Sequence, residues 1–145
     1  MKKRILIADD DASVRRALGR VLEEEGYQII LAADGHEALE KFESGPVDLL
    51  VLDIGLPVRN GWNTFERITS RAPALPIVTI TGKANSCDLA VAAAFGAVME
   101  KPLDVSQLLQ TMQALLAEPP EARLHRLCSF NRDSRFFSSQ SVDRQ

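Results

Sequence analysis

Cysteine is nearly absent from this chain: Cys87 and Cys128 are the only two among 145 residues. That excludes the dense disulfide framework of small secreted domains. No apolar run approaches the roughly 20 residues that a membrane span requires. The start, Met1-Lys2-Lys3-Arg4, is basic, but only Ile5 to Ala8 follows before Asp9, Asp10 and Asp11. Four apolar residues are too few for the core of a signal peptide. Dense lysine or arginine runs are missing too, and the formal net charge is -3. The one basic region, Arg123, Arg126, Arg132, Arg135 and Arg144, reads as a solvated tail rather than a nucleic-acid contact. These absences predict a cytoplasmic, reducing setting with no membrane partner and no direct nucleic-acid binding by this segment.

What is present is enough apolar material, 46% of the residues, for one domain with a sizeable core. Ile5 to Ala8 is short, continuously apolar and stopped by charge, as a buried parallel strand is. From Ala12 to Glu25 the period changes: Val14, Leu18, Val21 and Leu22 share a helical face, and Gly26 is placed to end the helix. Tyr27 to Ala32, Val47 to Leu52, Ile77 to Ile80 and Ala97 to Met99 read as further strands. Helical stretches fall at Gly35 to Phe42, around Trp62, Phe65 and Ile68, over Lys83 to Phe95, and around Leu108 to Leu116, where Asp104 or Ser106 can cap. Strand and helix alternating five times predict an α/β fold, a three-layer doubly wound sandwich with helices on both faces of a parallel sheet. Ligands in such sheets bind beyond the carboxyl ends of the strands.

Asp9, Asp10, Asp53, Thr81 and Lys101 all fall at those carboxyl ends. Magnesium takes about six oxygen ligands and is usually held by one or two carboxylates with water and phosphate oxygens. Asp10 and Asp53 suit the carboxylates, and Asp9 suits the orienting of a bound water. An aspartate is also a competent nucleophile toward phosphorus when a metal orients the donor and screens charge. Lys101 supplies a positive charge for a phosphoryl oxygen, and Thr81 a hydroxyl. A plainer reading competes for Asp9, Asp10 and Asp11: all three can cap the helix starting at Ala12, where carboxylates are favoured. It does not reach Asp53 or Lys101. Trp62, Phe65 and Phe42 read as core or half-buried helix residues, and His36 and His125 as exposed.

Taken together, these stretches resemble the receiver domain of two-component response regulators, from Lys3 to about Leu116. Ile5-Leu6-Ile7-Ala8-Asp9-Asp10-Asp11 is similar to the family's first strand and acidic pair. Asp53-Ile54-Gly55-Leu56-Pro57-Val58-Arg59-Asn60-Gly61 is similar to its phosphoacceptor loop. Thr81-Gly82 and Lys101-Pro102 stand where the family has a hydroxyl with a small residue and a lysine with a cis-linked proline. The resemblance implies a flavodoxin-like, five-stranded parallel sheet of order 2-1-3-4-5. It implies Mg²⁺ as cofactor, held by Asp10, Asp53 and the Gly55 backbone carbonyl with Asp9 in the second layer. Asp53 is then the phosphorylated residue, Lys101 and Thr81 its catalytic companions, Thr81 and Val98 the switch positions, and Pro57, Gly61 and Pro102 structural. The implied partner is a sensor histidine kinase or histidine phosphotransfer protein, docking on the helix Ala12 to Glu25, with a homodimer through the face around the fifth strand. Such a module catalyses its own phosphorylation and slow dephosphorylation rather than turning over a free substrate.

Two departures stand out. Lys101 follows Thr81 by 20 positions, about two fewer than the resemblance leads one to expect, and Val98 replaces the aromatic usual three positions before the lysine. Other readings are a pseudo-receiver acting only as a docking or dimerisation surface, and a metal-dependent phosphatase. The phosphatase needs a general acid two residues beyond the nucleophile, where this chain has Gly55. The receiver is expected to span residues 1–117. Residues 118–145, beginning with the helix-breaking Pro119-Pro120, are expected to form a linker or flexible tail, helical at most over Glu121 to Cys128, or the remnant of a longer protein.

Overall fold

The computed structural model describes residues 2–55, 60–82 and 88–133. Pro57, Lys83 to Cys87 and the last arginines, Arg135 and Arg144, lie outside the described residues. Five strands, β1 (Arg4–Ala8), β2 (Gln28–Ala32), β3 (Leu49–Asp53), β4 (Ile77–Thr81) and β5 (Gly96–Glu100), form one sheet in the order β2-β1-β3-β4-β5. Every pairing is parallel. The helices are α1 (Ala12–Glu24), α2 (Gly35–Glu43), α3 (Asn60–Arg71), α4 (Asp88–Ala94), α5 (Val105–Ala117) and α6 (Pro120–Asp133). This is the expected flavodoxin-like architecture.

Side chains alternate along a strand, so the two faces of the sheet build two cores. Ile5, Ile7, Leu49, Val51, Val78 and Ile80 point to one face and meet Leu18 and Leu22 of α1 and Leu108, Met112 and Leu115 of α5. Leu6, Ala8, Leu50, Leu52 and Ile77 point to the other and meet Ala38 of α2, Phe65 and Ile68 of α3 and Ala92 of α4. The three central strands are covered on both sides, which explains their unbroken apolar runs. Truncating a fully buried leucine such as Leu22 in such a core costs about 2–5 kcal/mol.

Local chemistry sets the ends. Asp11 caps α1, its carboxylate accepting from the Ser13 and Val14 amides at 2.9 and 3.3 Å. Gly26, at φ 97°, terminates that helix, and the Tyr27 amide bonds back to the Leu22 carbonyl at 3.2 Å. Asp34 and Glu37 form a reciprocal capping box on α2: Asp34 accepts from the Glu37 amide and Glu37 from the Ala33 amide. Asp104 caps α5, accepting from the Gln107 amide. Asp48, the polar interruption in the third apolar run, precedes β3 and accepts from the Arg4 amide at 2.7 Å, fixing the start of β1 against β3.

Strand β5 and helix α6 are among the elements that run longer than the sequence suggests. Strand β5 begins at Gly96 because a glycine there lets two backbones meet: a Cβ would lie 2.2 Å from the Ile77 carbonyl oxygen. Helix α6 begins at Pro120, a favoured first helical position, and runs past Cys128 to Asp133. Long side chains fasten it to the body. The Arg123 guanidinium donates to the carbonyls of Ala74, Leu115 and Glu118, and Arg126 makes a two-pronged pair with Glu118 at 2.7 and 2.9 Å. That pair holds the Glu118 carboxyl below its ordinary range. These contacts gather at the amino ends of β4 and β5, opposite the carboxyl ends where the acidic residues sit. Among the described residues no helix is long and apolar enough to cross a membrane.

Candidate metal and phosphoryl site

The parallel sheet delivers its strand ends to one edge. Asp9 follows β1, Asp53 closes β3, Thr81 closes β4 and Lys101 follows β5. Asp9, Asp53 and Thr81 are buried and Asp10 is exposed at the rim. One carboxylate oxygen from each of Asp9, Asp10 and Asp53 lies within 4.8 Å of the others. The Lys101 Nζ donates to Asp53 Oδ2 at 2.7 Å, and the Gly55 amide donates to Asp53 Oδ1 at 2.8 Å. The Asp11 amide donates to Asp9 Oδ1 at 2.8 Å.

The capping alternative for the three aspartates is thus divided. Asp11 caps α1, whereas Asp9 and Asp10 turn to Asp53.

The electrostatics follow from this crowding. Burial is the largest influence on Asp9 and pushes its pKa up; Asp53 and Asp10 add to the rise, opposed by the Asp11 amide and Lys101. The Lys101 pKa is raised chiefly by its hydrogen bond to Asp53, then by the charges of Asp53, Asp9 and Asp10, against a lowering by burial. Three carboxylates against one ammonium leave two negative charges unbalanced, the charge of one divalent cation. All three donors are hard oxygens, the set that magnesium and calcium prefer. The residues present therefore fit such an ion.

Backbone features hold the groups in place. The Lys101 amide donates to the Thr81 carbonyl at 2.9 Å, continuing the β4–β5 ladder up to the site. The Lys101–Pro102 bond is cis, the isomer the resemblance implies. Gly61 at the start of α3 has no room for a side chain, since a Cβ would stand 2.3 Å from the Ile54 carbonyl oxygen. At Gly55 a Cβ would stand 3.1 Å from Asp53 Oδ1, pressing on the carboxylate itself. Gly82 differs: among the described residues nothing lies within 4 Å of where its Cβ would stand.

Val98 is half-buried in the middle of β5, on the α4 side of the sheet, in register with Thr79 of β4 and through it Leu52 of β3. The aromatic groups on that side are elsewhere. Phe95 meets Phe65 edge-on at 5.3 Å between centroids, and Phe65 meets Trp62 at 5.4 Å. His36 is exposed beside Glu40, and His125 is exposed on α6.

Two further residues have surroundings that no sequence pattern marks. The half-buried Arg15 Nη1 donates to the Asp9 backbone carbonyl at 2.7 Å. The Thr79 hydroxyl is buried without a hydrogen-bond partner among the described residues.

An acidic cluster at the carboxyl edge of a 2-1-3-4-5 sheet, with a lysine on one of its buried carboxylates, is the arrangement of a phosphoryl-accepting receiver module. The chain belongs to the response regulator receiver domain family, whose model matches residues 5–113. It is 38% identical over 118 residues to the response regulator MprA of Mycobacterium ulcerans (strain Agy99), covering 80% of this chain and 51% of that protein. The chain therefore spans about half the length of the curated relatives it matches. Among solved structures it is similar to a CheY-like receiver domain protein from Methanospirillum hungatei JF-1, with TM-score 0.74, 32% identity, and coverage of 80% of this chain and 94% of that one. It is also similar to the response regulator TrrA of Thermotoga maritima in complex with Mg²⁺-BeF, with TM-score 0.71, 33% identity, and coverage of 78% and 98%.

Proposed function

We propose that Asp53 is the phosphoacceptor of this receiver, with Mg²⁺ as its cofactor. The observation that carries the reading is the Asp53 carboxylate itself: buried, held at one oxygen by Lys101 and at the other by the Gly55 amide, and adjoined by Asp9 and Asp10. In this reading Asp10, Asp53 and the Gly55 carbonyl would hold the ion, with Asp9 facing a water on it. Such an ion would screen the repulsion between carboxylate and phosphate and polarise the phosphoryl oxygens. An Asp53 oxygen supplies the electron pair for the new P–O bond, the donor's bond to phosphorus breaks, and the leaving group takes a proton. Lys101 balances charge on the transferred group, and Thr81 closes on it.

An acyl phosphate requires a high-energy donor, which a phosphohistidine on a sensor kinase or phosphotransfer protein supplies. We assign its docking to α1 and the loops around Asp53, in a cytoplasmic setting. The output is assigned to the face of α4, β5 and α5, where Ala97, Val98, Leu109 and Leu116 are half-buried at the sheet edge, with a second copy of the chain as partner. The receiver unit is placed at residues 1–117, with 118–145 as an appended segment. Gly55 offers no acid for a phosphatase, and the assembled carboxylates and lysine weigh against a pseudo-receiver.

Acetyl phosphate with Mg²⁺ should add one phosphoryl group, labile to hydroxylamine, and none to D53N. Equal labelling of D53N, or no labelling of the native protein, would overturn the assignment.

A further inference from the structure

The three clustered carboxylates are not equally held. Asp53 is fixed at both oxygens, by Lys101 and the Gly55 amide, and Asp9 is fixed at one by the Asp11 amide. Asp10 is exposed, and among the described residues no hydrogen bond holds its side chain. The place of its carboxylate is therefore set by its backbone, whose leading peptide unit joins the Asp9 carbonyl to the Asp10 amide. That carbonyl accepts from Arg15 Nη1 at 2.7 Å. The arginine reaches back from the first turns of α1, where its own amide bonds to the Asp11 carbonyl at 2.9 Å. At the other end of the segment the Asp9 amide is tied to the Ala32 carbonyl of β2 at 3.1 Å. The Asp9–Asp10 peptide plane is thus pinned by one charged donor, and that plane aims Asp10 at Asp9 and Asp53.

We infer that Arg15 is a positioning residue for the divalent cation: it orients Asp10 through the Asp9 carbonyl. The inference rests on the reading that Asp10 helps to hold the ion. It predicts a loss of metal affinity that passes through Asp10 alone, of the size seen when partners behind metal ligands are removed, roughly tenfold.

The test titrates Mn²⁺ into the native protein, R15M, R15K, D10N and R15M/D10N, followed by electron paramagnetic resonance with Mg²⁺ in competition. Methionine keeps the apolar stem and removes every donor; lysine keeps a charged donor. R15M should bind the ion about tenfold more weakly, R15K should regain most of the loss, and R15M should add less than about twofold in the D10N background. Equal affinity in R15M and the native protein overturns the inference. So does the same fold-loss with and without the Asp10 carboxylate, the mark of a general loosening of α1. A native protein that binds no Mn²⁺ overturns the reading of the site itself, and is told apart because it fails before any variant is compared.

Discussion

The Lys101 ammonium meets the Asp53 carboxylate at 2.7 Å although 48 positions separate them in sequence. The sheet makes the contact, by ending β3 and β5 at one edge with β4 between them. Asp53 is almost wholly enclosed while the Lys101 side chain is 42% exposed, so the lysine is the accessible half of the pair. A charged group exposed to this degree is free to follow a phosphoryl group without repacking the core.

K101M should therefore fold, yet lose most of the structural response to beryllofluoride, measured as the change in amide exchange across β5 and α5. An undiminished response would remove Lys101 from the switch. The pair also has a pH signature. Its folded pKa lies above the ordinary 10.5, so its stabilisation is fully present below that value and is lost as pH rises through the folded value. Urea midpoints should fall more steeply above about pH 10.5 in the native protein than in K101M. Tyr27, whose phenol is also pushed up by burial and Glu25, contributes equally to both proteins and cancels in the difference.

Asp9 has the same sign for an opposite reason. Its carboxyl is pushed above 3.8 mainly by burial, so the folded protein favours the protonated form and loses stability as pH rises through the folded value. D9N keeps an acceptor for the Asp11 amide and removes the charge. Without divalent ions at neutral pH it should melt about 2–5 °C above the native protein. The gap should narrow as the pH falls through the raised folded value, where native Asp9 takes up its proton, and narrow when Mg²⁺ is added at neutral pH. A D9N protein that melts lower under metal-free neutral conditions would contradict this account of the cluster.

Much of this arrangement was legible in the sequence. Buried parallel strands are short apolar runs stopped by charge, and the stopping residues, Asp9, Asp53 and Lys101, are the ones that build the site. The division of labour among the aspartates was not, because Asp9, Asp10 and Asp11 are chemically alike and only the turn after β1 decides which caps α1 and which faces Asp53. Gly96 gave no sign of its close approach to Ile77, a cross-strand contact. The roles of Arg15 and Arg123 were hidden for a related reason: their partners are backbone carbonyls, which every residue has, and only tertiary structure selects which one a long side chain reaches.

Thr79 sits between Leu52 and Val98 in the sheet, with its hydroxyl buried and without a partner among the described residues. An unsatisfied buried hydroxyl costs about 1–3 kcal/mol, and valine has nearly its shape. T79V should raise the unmodified protein's stability to urea by about 1 kcal/mol or more. A loss of stability would show that the hydroxyl is satisfied in solution.

Arg123 fastens α6 from the middle of its own helix, donating to Ala74 before β4, to Leu115 in the last turn of α5, and to Glu118 in the connection between helices. Hydrogen bonds from a charged donor contribute about 1.5–3 kcal/mol each, and the carbonyls near the end of α5 also present the negative pole of that helix. R123A removes all three bonds at the edge far from Asp53, so the two ends of the molecule should respond separately. Amides from Glu121 to Asp133 should exchange at least about tenfold faster, because local opening no longer breaks these contacts. Labelling by acetyl phosphate should be unchanged. Unaltered exchange across α6 would mean that the apolar residues of the helix, not Arg123, hold it to the sheet.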